Sequence, residues 1–164
     1  DIELVADPYG GHDLNALKRA MPRIREFVSE TRRVTHPDRL TWQYESGSNQ
    51  HRNAWLQVHE LLPYSERDTS LDALGGMKPT DAYTGMIELV KNDNEILVQN
   101  HGVARYSLLL SPDQFDFKQP VAVVENGIEI FRGPVRLSKR VLLRYAVRDF
   151  DTRRLYGAEI EIAN

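Results

Sequence analysis

The sequence predicts a mainly β protein: an antiparallel, immunoglobulin-like β-sandwich preceded by a strand-loop-helix segment and carrying one further helix near its C-terminus. Three observations lead there. Apolar residues alternate with period two in short runs between Leu40 and Phe131. Asn126-Gly127 separates two such runs as a tight hairpin turn does. Helical spacing is confined to Leu14 to Val28 and to a stretch around Val141 to Tyr145. Several short strands around one apolar interior are what a sandwich requires.

The elements follow in order. Ile2 to Ala6 is a short strand-like run. After Gly10-Gly11-His12-Asp13, the residues Leu14, Leu17, Met21, Ile24, Phe27 and Val28 recur at spacings of three and four, which makes one buried helix face. Asp13 or Asn15 caps its start, Pro22 marks either an opening turn or a kink, and the helix ends near Arg32-Arg33, where cations meet the negative pole of the dipole. Leu40, Trp42 and Tyr44 alternate, Gly47 and Asn49 interrupt, and Ala54 to Val58 resumes, which reads as a pair of strands joined by a polar loop. Residues 63 to 80, rich in Pro, Gly, Ser and Asp, form a long surface connection. Further strands are expected at Gly85 to Val90, Glu95 to Val98 and Ala104 to Leu110, where Tyr106, Leu108 and Leu110 share a side. Val121 to Val124 and Ile128 to Phe131 form the hairpin. Ser138 caps a helix from about 138 to 148, and a strand from Tyr156 to Ile162 points Ala158, Ile160 and Ile162 inward.

Composition narrows the function classes. With 41% hydrophobic and 27% charged residues and no apolar run near the roughly 18 residues of a membrane span, neither insertion nor any membrane partner is expected. A net charge of -3 supplies no global attraction for nucleic acid. The absence of cysteine removes disulfides, thiolate ligands and cysteine nucleophiles together. Because the chain opens on Asp1 rather than methionine, a processed or cut polypeptide with its upstream part missing is expected.

His12 is the principal candidate site residue. It stands beside two glycines on a strand-to-helix loop, where a catalytic base is often held. Gly11-His12-Asp13 with the helix ending Phe27-Val28, the strand Leu40 to Tyr44 and the strand Ala54-Trp55-Leu56 resemble the carboxy-terminal end of bacterial serine esterases and peptidases of the α/β-hydrolase fold. So do Asn94-Glu95-Ile96, the run Val103 to Leu110, the hairpin Val121 to Phe131, the capped helix and Asp151 to Ile162. The resemblance implies that residues 1–35 close a hydrolase domain and that residues 36–164 form an accessory sandwich. It implies that His12 is the triad base and then acid, passing a proton from serine to the leaving group. Asp13 serves better as a helix cap than as the triad acid.

No G-x-S-x-G elbow occurs, and Glu45-Ser46-Gly47-Ser48-Asn49 is not one. In hydrolases of this fold serine and acid precede the histidine, so both would lie upstream and the chain alone would be inert. The expected partners are therefore that upstream hydrolase domain and a second copy meeting through the N-terminal helix, whose apolar stripe needs cover.

The remaining motifs weigh toward ordinary roles. His36, Asp38, His51, His59 and His101 show no ligand spacing, and His59-Glu60-Leu61-Leu62-Pro63 has proline where a zincin needs histidine, so neither metal nor cofactor is expected. Arg140, Arg144 and Arg148 lie four apart, with Arg132, Arg136, Arg153 and Arg154 nearby. They read as a solvated helix face partnered by Asp149 and Asp151 rather than a phosphate grip. Trp42 and Trp55 are expected in the core rather than on a sugar platform, while Tyr9, Tyr64 and Tyr83 flank loops. The competing function is a non-enzymatic sandwich that binds carbohydrate or protein through the 63 to 80 loop and its aromatics.

Overall fold

In the computed structural model, residues 14–32, 34–63 and 84–164 are described. The strand expected at Ile2 to Ala6, the Gly10-Gly11-His12-Asp13 loop and nearly all of the 63 to 80 connection lie outside them. The chain divides into two compact units, Asp1–Val34 and Thr35–Asn164.

The first unit contributes helix α1, Leu14–Glu30, which runs through Pro22 and ends where the Thr31 N–H donates to the Phe27 carbonyl at 2.8 Å. It stops slightly short of Arg32. Its apolar positions Leu17, Ile24 and Val28 are exposed and Phe27 is half-buried.

The second unit is the predicted mainly β sandwich with one helix. Its strands are β1 (Arg39–Glu45), β2 (Arg52–Asn53), β3 (Leu56–Leu61), β4 (Thr84–Asn92), β5 (Glu95–His101), β6 (Val103–Leu110), β7 (Val121–Glu125), β8 (Ile128–Gly133) and β9 (Ala158–Ala163), with α2 (Lys139–Asp149) before the last. One sheet has the order β1-β4-β5-β7-β8, the other β2-β3-β6-β9. Both sheets contribute to a single core, with Leu40, Ile87, Leu89, Ile96 and Val123 from the first, and Leu56, Val58, Tyr106, Leu108 and Ile160 from the second.

Local signals set most of these elements. Asn126 and Gly127 take φ of 50° and 84°, the left-handed pair a type I′ turn demands, and join β7 to β8. Ser138 caps α2 by accepting from the Val141 N–H, as the sequence predicts.

Two expectations change. The strands around Trp42 and Trp55 are not a pair: β1 joins β4 in the five-stranded sheet, while a turn at Ala54-Trp55, with Ala54 at φ 46°, folds β2 onto β3 in the other. Alternation fixes which face of a strand is buried, and it carries no information about the neighbouring strand. Pairing is also not wholly antiparallel. After β5 the chain crosses to β6 in the opposite sheet and returns through residues 111 to 120, so β7 lies parallel to β5.

Candidate functional site

The four-stranded sheet carries a polar constellation on its outer face. Inward Leu56 and Val58 of β3 alternate with outward Gln57 and His59, inward Tyr106 and Leu108 of β6 with outward Ser107, and inward Ala158, Ile160 and Ile162 of β9 with outward Glu159 and Glu161. Helix α2 lies across this face. Arg148 donates to Gln57 Oε1 on β3 at 3.1 Å, and Arg144 and the Tyr145 hydroxyl donate to Glu159 on β9 at 3.2 and 3.0 Å. The helix thereby spans β6, which explains why Ser107 and Leu109, outward by alternation, are fully buried.

His59 and Ser107 form a pair, with Nε2 and Oγ 2.8 Å apart. Its geometry resembles a nucleophile-base dyad, but two features oppose that chemistry. Ser107 has no solvent exposure. The Gln57 amide, which can only donate, approaches Nδ1 at 3.4 Å, so Nδ1 is the acceptor and Nε2–H donates to Ser107. A general base needs the reverse tautomer. Burial, and then the positive charge of Arg105, hold the His59 pKa below its usual value and keep the ring neutral. The pair therefore satisfies a covered sheet face. His59 also borders an open cleft of about 480 Å³ with Tyr44, Ser46, Glu60 and Pro63, which can offer hydrogen bonds to a polar ligand.

A second constellation fastens α2. The Arg52 guanidinium pairs with the Asp149 carboxylate, and both side chains are nearly buried. It also lies 5.5 and 5.6 Å from the ring centres of Tyr145 and Tyr156. Tyr156 meets Tyr145 and His36 edge-on. Burial, reinforced by Glu159, pushes the Tyr145 hydroxyl up to about 12, and burial takes Tyr156 to about 12 against the opposing pull of Arg154 and Arg52. His36 is lowered, first by burial. The cluster is ordered and cationic at its centre, a structural clamp between β2 and the end of α2.

Among the residues singled out from sequence, His12 lies outside the described residues. Trp55 is fully buried, its Nε1 donating to the Pro37 carbonyl at 2.7 Å, and Trp42 is half-buried at the core margin. Neither forms an exposed platform. His36, His51, His59 and His101 do not converge, and among the described residues no group of three or more His, Cys, Asp or Glu is placed to hold a metal. The arginine row of α2 has different partners from those expected, because Arg144 meets Glu159, Arg148 meets Gln57, and Asp149 is taken by Arg52. Sequence reasoning singled out neither Ser107 nor Arg52, and placed Tyr145 and Tyr156 only as residues of the last helix and strand. Register sets those contacts, and no spacing within the chain signals them.

Compared with family models, curated proteins and solved structures, the chain matches none.

Proposed function

We propose that this chain is the carboxy-terminal part of a serine hydrolase of the α/β-hydrolase fold, with residues 1–35 closing the catalytic domain and His12 as its base and then acid. The sandwich is an accessory module without chemistry of its own. One observation carries the accessory role: the Ser–His pair of the sandwich, Ser107 and His59, is closed to solvent at Ser107 and holds the tautomer unfit for general-base work. The hydrolase origin draws support from the Gly11-His12-Asp13 resemblance and from α1, a separate unit whose apolar positions Leu17, Ile24 and Val28 are exposed as on a helix made to cover a sheet. The competing sugar-binding reading finds no stacking surface at Trp55.

The test is an ester and p-nitroanilide assay. The 164-residue chain gives background rates, whereas a polypeptide extended upstream through a G-x-S-x-G elbow turns over, and His12→Ala lowers its kcat by roughly 10³-fold or more. Turnover by the 164 residues alone, abolished by His12→Ala, refutes the proposal.

A further inference from the structure

Helix α2 has a second face that the accessory role leaves unused. Its inner side is fixed to the sandwich through Tyr145, Arg144, Arg148 and Asp149. Its opposite side is apolar where a surface helix is ordinarily polar. Leu143 and Val147, one turn apart on the crown, are 63% and 65% exposed, and Phe150 at the end is 89% exposed. Phe150 is also the C-cap, at φ 48° and ψ 29°. Glycine or asparagine ordinarily takes that left-handed position, and a bulky aromatic there is an outlier. A side chain that is almost wholly exposed is thus held on unfavourable backbone, and among the described residues no contact accounts for it.

Charge gathers around the same crown. Between Arg136 and Arg154 the only acids are Asp149 and Asp151, against cations that include Lys139, Arg140, Arg144, Arg148 and Arg153, in a chain of net charge -3. Asp149 is already taken by Arg52. Among the described residues, Lys139, Arg140 and Arg153 have no side-chain partner. A basic pole on an otherwise acidic polypeptide orients the molecule toward a negative surface.

We infer that α2 docks the sandwich on an anionic lipid surface, with Leu143, Val147 and Phe150 entering the boundary between headgroups and acyl chains and the free cations lying at lipid phosphates. A second copy fits poorly, since facing α2 crowns would bring the unpaired cations Lys139 and Arg140 of the two copies together. A convex ridge flanked by long mobile cations needs no matching cavity in a fluid interface, whereas a protein groove would have to supply one. Docking is peripheral, as no described helix is long and apolar enough to cross a membrane. This inference does not depend on the hydrolase reading.

The experiment is cosedimentation of the 164-residue chain with vesicles of phosphatidylglycerol and phosphatidylcholine in equal parts, and with phosphatidylcholine alone. The mixed vesicles bind the chain at least about tenfold better, and molar salt releases it. Phe150→Asn keeps a residue suited to the left-handed cap, so thermal stability is retained while partitioning falls about tenfold. Arg140→Gln lowers it about fivefold. The inference is overturned by equal binding to both vesicles, by no binding, or by a stably folded Leu143→Ser/Phe150→Asn variant that partitions like the parent. It also falls if soluble polyglutamate binds as tightly as the vesicles with Phe150→Asn making no difference, which would mark a site for acidic polypeptides.

Discussion

Glu88 on β4 and Gln99 on β5 stand at the surface of the five-stranded sheet, whereas Ser107 and Leu109 on β6, outward by the same alternation, have no exposure at all. The first sheet has one dry face and one that is wet at β4 and β5, the usual state of an antiparallel sheet. The second is dry on both sides of its central strand because α2 lies over it. The covering helix removes water from polar groups that the strand pattern directs outward, so each must find a partner inside the protein. Ser107 finds His59, Glu159 finds Tyr145 and Arg144, and Asp149 finds Arg52. The polar constellations of this molecule are therefore a consequence of covering, and they stabilise the seat of a helix whose outer side is left apolar.

If that contrast is right, truncation of an outward residue has opposite consequences on the two sheets. Leu109→Ala should behave as a core deletion and cost about 4 kcal/mol, within the range for fully buried leucines. Gln99→Ala should stay within about 0.5 kcal/mol of the parent. Urea midpoints at constant slope measure both. A mild effect of Leu109→Ala would mean that α2 does not exclude water from β6.

The clamp sharpens the same contrast. Asp149→Ala strands the Arg52 guanidinium in a nearly dry site and should cost about 3 kcal/mol. Glu161→Ala removes an ion pair to Arg105 whose side chains are about half exposed, at 42% and 55%, and should leave the urea midpoint nearly unchanged. Near-equal losses would show that the Arg52 site is as wet as the open surface.

How much of this could be read in advance depends on sequence distance. The Asn126-Gly127 hairpin and the Ser138 cap were legible because turn chemistry and capping are written within three or four residues. The inward sets of β6 and β9 were legible because alternation is local. What failed were statements about neighbours distant in sequence. Trp42 and Trp55 suggested paired strands, yet β1 found β4 beyond the 64–83 segment. Asp149 lay beside Arg148 in sequence and found Arg52, 97 positions away. His59 drew notice only as a failed metal motif, and its contact with Ser107, 48 positions on, follows from the β3-β6 register. His12 lies outside the described residues, and its role rests on its motif and a family resemblance.

The two sheets also share a buried polar contact. The Tyr106 hydroxyl of β6 donates to Glu125 Oε2 of β7 at 2.6 Å, and Asn100 donates to the same oxygen at 3.2 Å. Burial and the adjoining carboxylate raise the Tyr106 pKa, so the phenol remains a donor across the physiological range. Tyr106→Phe keeps the packing and removes one of two donors to a buried carboxylate, for an expected loss of about 1–2 kcal/mol by thermal or urea unfolding. A neutral effect would mean that water replaces the hydroxyl at the seam between the sheets.

The smallest expected effect is a pH dependence that belongs to the covered side alone. His59 and His36 both have pKa values lowered by burial, so in the folded protein each binds its proton less readily than in the unfolded chain, where the value is about 6.5. Above that value both states are neutral and the contribution to stability is fully present. As pH falls through 6.5 the unfolded chain takes up protons first, and stability declines until the folded-state values are passed. Thermal midpoints should therefore drop between pH 7 and pH 5. His59→Gln, which retains a donor toward Ser107, should flatten part of that slope and leave the midpoint at pH 7 within a few degrees of the parent. His51→Gln, at a ring that packs beside Tyr44, is the control variant. Equal flattening by the two variants would place the titration outside the covered face and would separate the imidazole of His59 from the burial that α2 imposes.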